Sequence, residues 1–218
     1  MGRPGTGPEM RLVLASNNQK KLIELQALLA PAGMELVAQG TLGVEEADEP
    51  FHTFIENALT KARHAAKHAR GAAIADDSGL CVDVLGGAPG VYSAHFAEFD
   101  ASIVDREGRR ASQDAANNAL LLERLHGVTD RRARFICTLV AVRSADDPEP
   151  LVAVGRWFGE ILLVPSGAGG FGYDPLMFIP ALGCAAAELG AEVKNAYSHR
   201  AIAATQMLTL MREAWHLG

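Results

Sequence analysis

Residues 72–79 read Ala-Ala-Ile-Ala-Asp-Asp-Ser-Gly. An apolar run of strand length breaks abruptly into two adjacent carboxylates, a hydroxyl and a glycine. Read as a strand, the run sets Asp76 and Asp77 at its C-terminal tip, and ligands of open α/β sheets bind in the crevice outside such tips. Two ionised carboxylates side by side repel each other unless a cation or a proton lies between them. Asp, Ser and Gly are also the ordinary residues of a turn. The segment alone therefore reads equally well as a polar turn and as a site.

Around it, strand-like and helix-like patterns alternate. Arg11–Ala15 is a short apolar strand running into Ser16-Asn17-Asn18, a turn and helix N-cap. Leu22, Leu25, Leu28 and Leu29 give a helical period from Lys20 to Ala30, which Pro31 and Gly33 end. Glu35–Ala38 is a second strand. A second helix runs from Phe54 to Ala69, with Thr53 and Glu56 spaced as a capping box. Asp105–Ala111 reads as charged and exposed, and Ala115–Leu125 as a third helix. Ala133–Val142 and Leu151–Val164 are long strands joined at Asp146-Asp147-Pro148, an antiparallel hairpin. Ser198 caps a last helix to Trp215. The pattern predicts an α/β fold with a mixed, partly antiparallel central sheet flanked by helices.

With 218 residues the chain can bury a real core as one large domain or two lobes. No linker divides it, so 11–218 reads as a single domain after a Gly- and Pro-rich leader, Met1–Met10, expected to be disordered. That leader lacks the apolar core of a signal peptide. The net charge of −6 argues against bulk binding to a nucleic-acid backbone, but not against a small basic pocket for one phosphorylated ligand. No apolar run has the length of about 18 residues that would suggest a membrane span. Cys81, Cys137 and Cys184 show no zinc spacing and sit among apolar residues, so they read as reduced thiols of a cytoplasmic protein.

Several groupings carry chemistry. In Ser16-Asn17-Asn18-Gln19-Lys20-Lys21 a strand meets a helix N-terminus, where free backbone N–H groups and the helix dipole favour an anion. An ordinary N-cap explains one of the amides, but not both amides and the lysine together. Asn57 and Lys61 share one helix face, a solvated face unless it borders a phosphate. The acidic loop before that helix ends in Glu49, which with Asp76 and Asp77 makes three carboxylates, hard oxygen ligands of the kind Mg²⁺ prefers. Gly167–Gly172 formally fits Gly-x-Gly-x-x-Gly, but Pro175 denies it the helix a dinucleotide site requires. Phe171, Gly172, Tyr173 and Asp174 better suit a flat heterocycle, with an aromatic to stack and a carboxylate to accept from ring N–H groups; a glycine loop around a buried aromatic fits equally. Lys194, His199 and Arg200 put cations near a helix start, against its dipole, where an anionic or carbonyl partner would offset them.

Taken in order, these segments resemble the inosine triphosphate pyrophosphatase family. The segments are 16–24, 53–58, Ala75-Asp76-Asp77-Ser78-Gly79-Leu80, 85–93, 169–175 and Ser198-His199-Arg200, spread over nearly the whole chain. The resemblance implies two lobes around a deep nucleotide cleft in a homodimeric, Mg²⁺-dependent enzyme. It would cleave ITP, dITP and XTP to the monophosphate and pyrophosphate, cleansing the nucleotide pool. By the same resemblance Asp77 is general base and metal ligand, and Glu49 holds the metal with it. Lys61 assists and Asp76 is a partner of Asp77. Ser16–Lys21 and Ser78 hold the phosphates, while Phe171–Asp174, Lys194, His199 and Arg200 surround base and sugar. Asn17 stands where the family often has glycine, and 100–113 is longer than usual.

Overall fold

The computed structural model describes residues 10–98 and 106–216, the side chains of 106 and 107 excepted. The expected leader thus lies outside the described residues save for Met10, which opens the first strand, as do residues 100–105 of the long 100–113 segment.

The elements are β1 (Met10–Leu14), α1 (Gln19–Leu29), β2 (Met34–Ala38), α2 (Phe54–Ala69), β3 (Ala73–Val82), α3 (Arg106–Arg124), β4 (Arg132–Val142), β5 (Leu151–Ile161), β6 (Met177–Ile179), β7 (Cys184–Ala185), α4 (Ala191–Tyr197) and α5 (His199–Trp215). The strands form one mixed sheet in the order β2-β1-β3-β4-β5-β6-β7. β1 runs parallel to β2 and β3, while β6 pairs antiparallel with β5 and β7. A bond from Ile161 N to Arg131 O sets the end of β5 beside the start of β4, as a hairpin requires. The mixed sheet and its helical flanks are those the sequence predicted.

The chain divides into two compact units: one of described residues up to Asp77, Cys137–Gly155 and Ser198 onward, the other of Ser78–Ile136 and Arg156–Tyr197. The first unit is three-layered. Leu12, Leu14, Ile74, Cys137 and Leu139 pack with Leu25 and Leu29 of α1 and with Ala203, Met207 and Met211 of α5. Val13, Ala73, Ala75, Val140 and Val142 pack with Ala58, Ala62, Ala65 and Ala66 of α2. Side chains alternate between the two faces along each strand, which is why consecutive residues of one strand enter different cores. The second unit gathers Leu80, Val82, Leu121, Leu125, Phe135, Trp157, Tyr173, Leu176 and Met177 into its own core.

Three local expectations change. Asp76 and Asp77 are not at a strand tip, since β3 continues to Val82. The apolar residues Leu80, Cys81 and Val82 find a core beyond the acids, and that burial carries the strand through them. α3 begins at Arg106 rather than at Ala115, and Arg109, Arg110 and Ala111 are exposed on it, as the sequence suggested. β5 stops at Ile161, leaving Leu163 and Val164 largely exposed. The short β6, β7 and α4 had no legible period.

Candidate active site

In β3, alternation assigns the two neighbouring acids to different sides of the sheet. Ile74 belongs to the α1 and α5 face and Ala75 to the α2 face, so Asp76 follows Ile74 and Asp77 follows Ala75. Their partners agree. Asp76 Oδ1 lies 2.8 Å from Lys21 Nζ of α1, and Asp76 Oδ2 lies 2.6 Å from Arg200 Nε of α5. Asp77 Oδ1 lies 2.8 Å from Lys61 Nζ of α2. The acids therefore have no need of a cation between them, because each answers to its own cations.

The Asp76 side is closed. Burial works to raise its pKa, but the charges and hydrogen bonds of Arg200 and Lys21 outweigh burial and hold the carboxyl well below the usual range. Cys137 Sγ also donates to Asp76 Oδ2 at 3.5 Å. Arg200, itself buried, reaches Glu24 of α1 as well. The cluster ties three elements of the first unit together by charge.

The Asp77 side is under-satisfied. Lys61 Nζ bridges Asp77 and Glu49, the latter at 3.1 Å, and donates to the Asp76 carbonyl at 3.1 Å. Asp77 Oδ2 is buried with no hydrogen-bond partner. Burial, only partly opposed by Lys61 and reinforced by the Glu49 charge, pushes Asp77 up to about 6. Burial also works to raise Glu49, but Lys61 holds it below its ordinary value. Among the described residues no group of three or more His, Cys, Asp or Glu side chains is placed to hold a metal ion.

At the start of α1, Asn18 is the N-cap, accepting from Lys20 N at 3.1 Å and Lys21 N at 3.4 Å. Two of the backbone donors expected for an anion are therefore taken by the cap. Ser16 Oγ accepts from Asn18 N, and Asn17 Oδ1 accepts from Gly40 N at 2.8 Å. Gln19 and Lys20 are exposed in the first turn, while Lys21 turns inward to Asp76.

The second unit holds another group. Lys194 Nζ lies 2.8 Å from Asp174 Oδ2 and 5.5 Å from the Phe171 ring centroid. Asp174 Oδ2 also accepts from Phe171 N at 2.9 Å. Tyr173 donates its phenol to Ser93 O at 2.9 Å, and burial pushes the Tyr173 pKa up, so the proton stays. Ser78 belongs to this unit, directly after Asp77. His199 and Arg200 belong to the first unit, at the start of α5, where Ser198 Oγ accepts from Ala201 N.

The Ham1 family model matches residues 12–210. A dITP/XTP pyrophosphatase of Leptothrix cholodnii is 67% identical over 211 residues, covering 95% of this chain and 100% of its own. A dITP/XTP pyrophosphatase of Methylibium petroleiphilum is 67% identical over 206 residues, covering 94% and 99%. The chain belongs to the Ham1 family. A solved Ham1 protein from Coxiella burnetii superposes with a TM-score of 0.83 at 40% identity, covering 94% of this chain and 100% of its own. The family resemblance read from the sequence is thus shown by relatives that match nearly the full chain.

Some residues of this Ham1 chain take parts in these groups that the sequence did not assign to them. Glu24 lies one turn after Lys21 on α1, a spacing that places the two on one helix face. Cys137 gave no signal, because an apolar strand residue carries none. Asp114 and Asn118 of α3 bond to Gly172, and their i,i+4 spacing looks like any solvated helix face.

Proposed function

We propose that this chain is a nucleoside triphosphate pyrophosphatase that hydrolyses ITP, dITP and XTP between the α and β phosphates, with Mg²⁺ as cofactor. The observation that carries this reading is Asp77: one carboxylate oxygen rests on Lys61 and the other is buried without a partner. Leaving a buried acceptor unsatisfied costs about 1–3 kcal/mol, and a cation or a water to be activated would relieve it.

Glu49 and Asp77 fit Mg²⁺, which commonly takes one or two protein carboxylates and completes its shell with waters and substrate phosphates. Once bound there, the ion would neutralise phosphate charge and make a water more acidic. Asp77, with its second carboxylate oxygen buried and unpartnered, is placed to orient a water and accept its proton. The resulting hydroxide attacks the α phosphorus, and the β–γ pair departs as pyrophosphate. Lys61 holds Asp77 in place and, with Lys21, offsets the charge that builds on the phosphates. Asp76 acts as the anchor for Lys21 and Arg200 rather than as a second base.

For the base, Phe171 offers a stacking face, while Asp174 and Lys194 offer an acceptor and a donor. A 6-oxopurine presents a carbonyl and an N1–H, where adenine presents an amino group and a bare N1. Adenine would leave both protein groups unmatched, which discriminates strongly in a buried site. A homodimer and a cytoplasmic setting belong to the same reading; the cysteines of the described residues are all free thiols, as a reducing compartment requires. Among the described residues no helix is long and apolar enough to cross a membrane.

Pyrophosphate release from ITP, XTP, dITP, GTP and ATP, with Mg²⁺ and with chelator, tests the reading. The oxopurines ITP, XTP and dITP should exceed ATP by about a hundredfold in kcat/KM, and chelation should abolish turnover. Equal use of all five substrates, or full activity in chelator, would sink it.

A further inference from the structure

We infer that Asp114 and Asn118 of α3 are positioning residues for base recognition, holding the 169–174 loop in its binding shape. The inference rests on the reading of Phe171–Asp174 as the segment that meets the purine.

That loop has few constraints of its own beyond the turn that Asp174 closes on Phe171. Gly169, Gly170 and Gly172 stand within four residues, and glycine places little restriction on its own backbone. Gly170 and Gly172 adopt φ of +74° and +62°, in the left-handed region. A segment so permissive must be fixed from outside if Phe171 and Asp174 are to keep one relative placement, and selective sites need placement within about 0.5 Å.

Ala187 holds the two ends of the loop, accepting from Gly169 N at 3.0 Å and donating to Asp174 O at 3.1 Å, and one face of α3 holds its middle. Gly172 N donates to Asp114 Oδ2 at 2.8 Å, and Gly172 O accepts from Asn118 Nδ2 at 2.9 Å. Both polar groups of this glycine are thus held by side chains four residues apart on one helix. Those partners are 58 and 54 residues distant in sequence, so the bonds fix tertiary structure rather than a local turn. Between them, Asn117 extends the support. It donates to Ser93 O and Ala94 O, each at 3.2 Å, and Ser93 O is also the acceptor of the Tyr173 phenol. Tyr173 is therefore held through Ser93 while Gly172 is held directly. On the other side of Gly172, Asp174 closes on Phe171 N and Lys194. The Phe171 peptide is clamped between Asp174 and the α3 pair.

Asp114→Ala and Asn118→Ala each remove one arm of the clamp. Each should lower the ITP-over-ATP ratio of kcat/KM about tenfold, the upper end of what one part-buried hydrogen bond contributes, mostly through KM for ITP. Asp114→Asn keeps an acceptor for Gly172 N and should restore the ratio. A merely structural role would lower both substrates together and leave the ratio alone. Amide exchange at Gly172 reads the clamp without nucleotide: it should quicken about tenfold in Asp114→Ala and return to the wild-type rate in Asp114→Asn. If the wild type does not prefer ITP, the functional reading fails and the positioning role falls with it. If the wild type prefers ITP and the alanine variants keep its ratio, only the positioning role is overturned. Unchanged exchange at Gly172 overturns it as well.

Discussion

Asp76 and Asp77 are joined by one peptide bond, yet Asp76 pairs with Lys21 and Arg200 on one side of the sheet while Asp77 pairs with Lys61 on the other. The alternation of a strand turns two like residues into groups with opposite electrostatics. One is driven well below the usual carboxylate range and the other up to about 6. The first suits an anchor and the second a base.

Asp77→Asn should nearly abolish ITP hydrolysis while leaving the fold intact. Its stability carries a second signature. A carboxyl raised above its unfolded value destabilises the native state when ionised, and that cost is relieved as pH falls through the folded pKa. Stability of the wild type relative to Asp77→Asn should therefore improve between pH 8 and pH 5, passing through about 6. Thermal unfolding in chelator reads this. A difference that stays constant with pH would remove the raised pKa from the argument.

Asp76→Asn should act in the opposite sense. It leaves Arg200 buried beside a neutral partner, a change worth about 3 kcal/mol. A lowered carboxyl pKa adds stability above the unfolded value, near pH 4, and that contribution disappears as pH falls through the folded pKa. Urea unfolding at pH 7 should show the loss, and the gap between wild type and variant should narrow as the solution becomes acidic below pH 4.

Arg200→Ala tests two roles at once. Its contacts with Asp76 and Glu24 predict a loss of about 3 kcal/mol in unfolding free energy. Contact with the purine predicts a narrower ITP-over-ATP ratio in addition. A double-mutant cycle with Asp76, read by denaturation and by kcat/KM for both substrates, separates them: coupling confined to stability assigns Arg200 to the anchor alone.

Asp147 organises the β4–β5 turn. It accepts from Arg143 N at 2.8 Å and Glu149 N at 3.0 Å, and Arg143 Nε reaches it at 3.1 Å. Its bond to the Arg143 side chain, with these backbone bonds, lowers its pKa to about 2. Asp147→Asn should cost about 1–2 kcal/mol, since Arg143 is half-exposed and solvent screens its charge. The deficit should be full above pH 4 and fade as pH approaches 2. Differential scanning calorimetry across that range would expose a pH-independent deficit if the carboxylate charge were irrelevant.

Gly155 is needed for close approach of β5 and α5. A Cβ there would stand 1.9 Å from His199 O and 2.7 Å from Ala203 N. Backbone cannot rotate aside as a side chain does, so Gly155→Ala should cost about 3 kcal/mol. Displacement of the α5 start should also lower activity if His199 and Arg200 belong to the site. A variant as stable and as active as the wild type would show that α5 shifts freely.

Local signals legible in the sequence were those with a short-range cause. The Thr53 cap and the span of α2, the Ser198 cap of α5 and the strand–helix–strand order of β1, α1 and β2 follow from periodicity and capping, which act within a few residues. The acids, lysines and glycines of the site were legible as residue types. Their division of labour was not. It depended on β3 continuing past Asp77 into a second core, which only the burial of Leu80 and Val82 decides. Asn18 caps α1 as the sequence suggested, but which of the three residues 16–18 would be the cap was settled only by α1 beginning at Gln19. Asp114 and Asn118 looked like any exposed helix face because their partner lies more than fifty residues away. Asp76 and Asp77 state the matter most simply: sequence alone determined that two carboxylates stand together, and only the tertiary structure, by giving each face of one strand its own cations, decided which of them is left with an oxygen to use.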